Sequence, residues 1–164
     1  MSSIASWGLV RIDDRLIHGQ VIAVWCRHRK FDRIVIVDDG VAADAFMQEI
    51  LCLSAPPGLE VVVYPVEKGL EILLGQTSGR ETTMVLMKTP LVAQKLFEGG
   101  LEYEHLNIGG IGSRPGRKNI FKNIAVSPEE IAILKALMDR GVEITLLTVP
   151  GEKSKSFAEL ADKL

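Results

Sequence analysis

Short runs of apolar, mostly β-branched residues alternate along this chain with segments whose apolar positions recur every three or four residues. The first pattern is that of buried strands, the second that of amphipathic helices. Strands are expected at Leu9–Ile12, Arg33–Asp38, Leu59–Tyr64, Thr82–Met87, His105–Ile108 and Val142–Val149, with a weaker one at Ile124–Val126. Helices are expected from His18 to about His28, Ala42 to about Ser54, Glu67 to Leu74, Thr89-Pro90 to about Phe97, Ser127 to Gly141, and Lys155 to Leu164. In the second of these, Phe46, Ile50 and Leu53 carry the helical spacing. Pro90 and Pro128 fit first-turn positions, and Ser127-Pro128-Glu129-Glu130 reads as a capping box. Pro56-Pro57-Gly58 and Glu98-Gly99-Gly100 are helix stops.

Strands separated by helices require crossover connections. The expected fold class is therefore α/β, with a mainly parallel central sheet and helices on both faces. No repeat, low-complexity segment or linker interrupts residues 1–164, so one domain is expected. Sheets of this kind bind ligands beyond the carboxyl ends of their strands. The loops after Leu9–Ile12 and His105–Ile108 should then share one end of the sheet.

The first of those loops concentrates the chemistry: Val10-Arg11-Ile12-Asp13-Asp14-Arg15-Leu16-Ile17-His18-Gly19-Gln20-Val21. Imidazole is nucleophilic near neutrality, because its unperturbed pKa is ~6.5. Arg11 and Arg15 have planar forks suited to phosphate oxygens. Asp13 and Asp14 can fix the ring of His18 or orient Arg15, and the helix that follows directs free N–H groups back at the loop. A salt-bridged turn accounts for the carboxylates alone, but not for two arginines beside His18-Gly19. A site that handles phosphoryl groups is the better reading.

The second loop is cationic. From His105 through Pro128 there is no acidic residue, while Arg114, Arg117, Lys118 and Lys122 fall within it. Such a surface suits a phosphorylated partner or an acidic docking face. The glycines from Gly109 to Gly116 are only loosely like a dinucleotide fingerprint, and Pro115 counts against one, so a nucleotide-binding module is a distant alternative. Asp38-Asp39 ends a buried strand, which leaves an aspartyl phosphoacceptor of a signalling domain as another. Capping of the next helix is the preferred role for that pair. His28, in Arg27-His28-Arg29-Lys30, complements a helix C-terminus, and His105 has no evident partner. Spacings for a metal site, a P-loop or a serine nucleophile are missing, so neither metal nor cofactor is expected.

Composition narrows the class further. The chain has 164 residues, 47% hydrophobic and 24% charged, with a formal net charge of -2. That balance is ordinary for a soluble globular protein and argues against general nucleic-acid binding. No apolar stretch approaches the ~18 residues needed to span a bilayer. Met1–Gly8 lacks the charged and apolar regions of a secretory signal. Cys26 and Cys52 lie in no paired motif and are expected as reduced, buried thiols of a cytoplasmic protein.

The segment Val10–Val21 resembles the phosphorylation-site segment of enzyme IIB in the mannose/fructose/sorbose class of bacterial phosphoenolpyruvate-dependent sugar phosphotransferase systems. The resemblance continues through Ile34–Asp39 with Val41-Ala42, Ala55–Gly58, Val66–Lys68, Lys88–Pro90, Glu98–Gly100, Leu106–Gly110 and Val126-Ser127, covering essentially the whole chain. It implies that His18 is the phosphorylated histidine, that Arg15 contacts the phosphoryl group, and that Arg11, Asp13 and Asp14 are the flanking charges. It also implies a relay in which enzyme IIA donates to His18 and a sugar, imported through the membrane subunits enzyme IIC and IID, receives the group. The protein would be cytoplasmic and peripherally associated with those subunits. One departure concerns docking: Ile111-Gly112 leads here to Arg114-Pro115-Gly116-Arg117, where many relatives have Met and a lysine-rich loop.

Overall fold

A computed structural model describes residues 6–164. Its elements in chain order are β1 (Leu9–Asp13), α1 (Gly19–His28), β2 (Arg33–Val37), α2 (Asp39–Ala42), α3 (Ala45–Ser54), β3 (Glu60–Tyr64), α4 (Val66–Gly75), β4 (Thr83–Met87), α5 (Pro90–Glu98), β5 (His105–Gly110), β6 (Lys118–Phe121), β7 (Ile124–Val126), α6 (Pro128–Asp139), β8 (Glu143–Leu146), β9 (Lys155–Ser156) and α7 (Phe157–Ala161). The central sheet has the order β3-β2-β4-β1-β5-β8-β9. Every pair in it is parallel except β8 with β9.

Alternation along the strands divides the core in two. Ile34 and Ile36 of β2 and Met84 and Leu86 of β4 pack with Val21, Ile22 and Trp25 of α1 and Leu51 of α3. Val35, Val37, Val85 and Met87 point the other way, onto Leu73 of α4, Leu96 of α5, Leu134 of α6 and Phe157 of α7. In β1 the residues Val10 and Ile12 belong to this second layer. Strand periodicity therefore sends Arg11 and Asp13 to the α1 face. Burying apolar side chains such as Ile34 and Ile36 stabilises by about 1.5–3 kcal/mol each and fixes the register.

The order of strands creates one switch point. From β1 the chain leaves through α1 toward β2, and from β5 through α6 toward β8, on opposite faces and in opposite directions. β1 and β5 are neighbours, so a crevice opens where their carboxyl ends part. The loop after each strand meets the other there, as their connectivity predicts.

The α/β class, the parallel sheet and the two helical layers match expectation, and several boundaries do not. The helix expected over Ala42–Ser54 starts only at Ala45, because Asp44 caps it by accepting from the Met47 N–H, and the short α2 precedes it. Phe46, Ile50 and Leu53, the residues that carry its spacing, are exposed instead of facing the core. The last expected strand ends at Leu146, and the expected terminal helix is a two-residue strand, β9, followed by the short α7. β6 was not expected; it forms a separate antiparallel pair with β7. Cys52 is exposed and Cys26 half-buried, so neither is the buried thiol the sequence suggested, although both are free. The absence of a signal sequence concerns residues that lie partly outside those described. Among the described residues no helix is long and apolar enough to cross a membrane.

Candidate functional site

β1 ends in Asp13, and the chain turns at once. The Leu16 N–H donates to the Asp13 carbonyl at 2.8 Å, while the Arg15 N–H donates to Asp13 Oδ1 at 3.1 Å. One residue thus closes both a β-turn and an Asx turn. Leu16 follows in the left-handed region, at φ 59°, which is costly for a branched side chain. Its side chain is 3% exposed in the α1-face core, and that burial holds the strained backbone in place. The turn delivers the chain to His18, which caps α1 with extended backbone and no side-chain capping bond. No acidic residue occupies the first turn of α1. Its leading N–H groups and positive dipole end therefore face the loop uncompensated. His18 is exposed.

Beneath this rim lies a buried ionic cluster. Arg11 is fully buried; its Nη1 donates to Asn107 Oδ1 at 2.6 Å and to the Leu147 carbonyl at 3.2 Å. Arg11 Nη2 donates to Asp13 Oδ2 at 2.9 Å, and the guanidinium lies 5.6 Å from the centre of the Trp25 ring. Burial pushes the Arg11 pKa down from that of an ordinary guanidinium; the Asp13 charge and hydrogen bond oppose this shift. The expectation that Arg11 grips phosphate oxygens is therefore corrected. Its fork is taken by interior acceptors, because position 11 of β1 faces the α1 layer. Gly109 is what makes room: a Cβ there would overlap the Arg11 guanidinium.

Arg15 is the exposed counterpart. Its Nε and Nη2 donate to Asp13 Oδ1 and Oδ2 at 2.9 and 2.7 Å, a bidentate pair. Those hydrogen bonds raise the Arg15 pKa above the ordinary guanidinium value; partial burial opposes the shift, and the charges of Asp13 and Asp14 reinforce it. The side chain is still 36% exposed, and Nη1 has no partner among the described residues. Asp13 thus orients Arg15, one of the two roles proposed for the carboxylates. The other role is not observed. Both Asp13 oxygens serve arginines, and Asp14 Oδ2 accepts from the Gly112 N–H at 2.7 Å, so neither carboxylate holds the His18 ring.

The glycine-rich loop arrives across the crevice. The Asp14 N–H donates to the Gly110 carbonyl at 3.0 Å, tying the two loops at the ends of β1 and β5. Asn123 Nδ2 and Thr148 Oγ1 both donate to the Gly109 carbonyl, at 3.2 and 3.1 Å. Of the cationic residues in this loop, Arg114, Lys118 and Lys122 are exposed. Arg117 is not free: it is bidentate to Glu130 at 2.9 and 3.1 Å and donates to the Gly112 carbonyl at 3.0 Å. The Ser127–Glu130 capping box forms as expected, so Arg117 pins the loop to the start of α6.

The rival sites are otherwise engaged. Asp38 Oδ2 accepts from the Val41 N–H at 2.9 Å and caps α2, while Asp39 Oδ1 accepts from the Val66 N–H at 2.8 Å. The Gly109–Gly116 segment leads into the β6–β7 hairpin and not into a helix whose N-terminus could hold a pyrophosphate. His105 pairs with Glu143 at 3.3 Å, both exposed. Asn107, Asn123, Thr148 and Trp25 were missed as members of the site. Asn107 left a trace in the sequence, an amide inside Leu-Asn-Ile in a buried strand; the others left none.

Fold and corner together define an α/β domain that presents an exposed imidazole and a carboxylate-held arginine at the switch point of a parallel sheet. The family of PTS system sorbose subfamily IIB components matches this chain over residues 7–164. The sorbose-specific EIIB component of Klebsiella pneumoniae is 36% identical over 151 residues, 92% of each chain. The mannose-specific EIIAB component of Escherichia coli K12 is 34% identical over 157 residues, 96% of this chain and 49% of that protein. This chain therefore spans about half the length of the EIIAB relatives it matches. The crystal structure of the IIBSor domain of the Klebsiella pneumoniae sorbose permease superposes with a TM-score of 0.88 at 32% identity, covering 97% of this chain and 98% of that one. The chain belongs to the sorbose subfamily of phosphotransferase-system IIB components.

Proposed function

We propose that this protein is a phosphocarrier in which His18 accepts a phosphoryl group from a phosphohistidine of enzyme IIA. It then passes the group to a sugar that enters through the membrane subunits IIC and IID. In the first step the donor N–P bond breaks as a new N–P bond forms on the neutral imidazole of His18. In the second that bond breaks as the sugar hydroxyl oxygen bonds to phosphorus and releases its proton to solvent. Both are in-line displacements with a loose transition state, so positioning and charge stabilisation are what the protein supplies. Arg15, aimed by Asp13, and the uncapped N–H groups of α1 stabilise the equatorial oxygens. Arg11 acts only through Asp13, as a positioning residue. No step requires a metal, since a phosphohistidine donor is already activated. The work is done at the cytoplasmic face of the membrane, beside the transport subunits.

The observation that carries this reading is the exposed His18 at the uncapped start of α1, within three residues of a half-exposed arginine held by a buried carboxylate. Incubation with labelled, phosphorylated enzyme IIA tests it. The label is expected on this chain as an acid-labile, alkali-stable phosphate that disappears in His18→Ala. Full labelling of His18→Ala overturns the assignment.

A further inference from the structure

α3 is built the wrong way round for a surface helix. Its apolar stripe should face the core, yet of its large apolar residues only Leu51 is buried. Phe46 and Leu53 are 71% and 79% exposed, with Met47 and Ile50 exposed between them. An aromatic, a methionine and two aliphatic side chains along one exposed face are the composition of a binding surface.

Where this stripe ends is informative. The Ser54 carbonyl at the C-terminus of α3 lies so close to Gly19 that a Cβ there would sit 3.3 Å from it. Gly19 directly follows His18. An ordinary protein interface covers about 800 Å² per partner, a disc of roughly 16 Å radius. α3 is ten residues long, about 15 Å at the helical rise. A partner footprint centred on His18 is therefore wide enough to reach along the stripe.

Charge says what that partner must look like. From Ile34 through Glu67 there is no lysine or arginine, and the exposed Asp44 and Glu49 flank the stripe. Across the corner, the loop with Arg114, Lys118 and Lys122 contains no acid. We propose that the α3 stripe is the anchor on which the phosphohistidine-bearing donor protein seats. That donor offers α3 an apolar patch with a basic rim and offers the loop after β5 an acidic one. The proposal rests on the phosphocarrier reading above.

The test is the double variant Phe46→Ser/Leu53→Ser, whose exposed sites leave the core untouched, with a thermal melt to verify folding. Phosphorylation of His18 is followed against the concentration of phosphorylated enzyme IIA and, separately, with phosphoramidate, a small donor that needs no docking surface. The half-saturating concentration of enzyme IIA should rise by about tenfold or more, since anchor truncations are costly, while the phosphoramidate rate stays that of wild type. Asp44→Lys/Glu49→Lys should move it in the same direction. A half-saturating concentration within about twofold of wild type in both variants, less than a hot spot would shift it, overturns the proposal and leaves the phosphocarrier reading standing. So does a stripe that proves to join two copies of this chain, seen as dimer dissociation in the serine variant by sedimentation with unchanged response to enzyme IIA. A wild-type protein that takes no phosphate on His18 from either donor overturns both.

Discussion

Arg11 and Arg15 hold the same carboxylate from opposite sides of the molecular surface, and they divide the corner into a floor and a rim. On the floor, Arg11 meets Asp13, Asn107 and the Leu147 carbonyl in full burial. On the rim, Arg15 takes both Asp13 oxygens and keeps an exposed edge. A guanidinium walled in by protein can set geometry but cannot follow a substrate. One that is half-exposed and clamped can meet an incoming anion without first being ordered, which is the advantage of preorganisation. Four residues of spacing, two on strand and two on turn, separate structural from chemical duty.

If that division is right, damage to the floor should appear mainly as lost stability. Arg11→Ala removes a buried ion-pair partner, strands Asn107 and opens space beside Trp25, at an expected cost of about 3–5 kcal/mol in denaturant unfolding. A midpoint equal to wild type would mean the cluster does not hold the corner. Gly109→Ala drives a methyl group into the Arg11 guanidinium and should cost about 1–3 kcal/mol while also slowing transfer. The rim should respond in the opposite sense. Arg15→Lys loses one bond of the bidentate pair with Asp13 and should cost only about 1 kcal/mol of stability, but it should raise the transfer barrier by about 1–3 kcal/mol, since an ammonium cannot reproduce the fork. An unchanged transfer rate removes Arg15 from the chemistry.

The smallest effect belongs to the clamp on the opposite loop. Glu130 lies low in pKa: burial pushes it up, but hydrogen bonds from Arg117 and Ser127 outweigh that. A depressed carboxyl contributes stability above its unfolded pKa of ~4.3 and loses it as pH falls through the lower folded value. Glu130→Gln keeps the capping box and loses the charge of a largely buried pair, so it should cost about 1–2 kcal/mol at neutral pH. That gap from wild type should close on acidification below the ordinary glutamate range. A gap that widens in acid would contradict the assignment of the pair.

The parallel sheet, its two helical layers and the meeting of the two loops were all legible in the sequence, because apolar runs and stop signals are local. The burial of Arg11 was not, although strand periodicity was available: position 11 faces a layer whose filling depends on Trp25 and Asn107, far away in sequence. The α3 stripe shows the same limit from the other direction. Phe46, Ile50 and Leu53 have the spacing of a core face, and spacing cannot say which side of a helix meets the sheet. Asp44 starts α3 three residues later than the apolar pattern suggests, by accepting from the Met47 N–H, a local capping signal outweighed by the apolar run. Arg117 looked like part of a free cationic surface until the capping box supplied its partner.

All of this converges on where the phosphate goes. Mapping the modified residue in the phosphorylated protein by NMR of its three imidazoles, with alkali treatment alongside, is the most direct measurement. The expected result is a single phosphoimidazole at His18, stable in alkali and lost in acid, with His28 and His105 unmodified. An alkali-labile phosphate on Asp38 or Asp39, with His18 unchanged, would contradict the account.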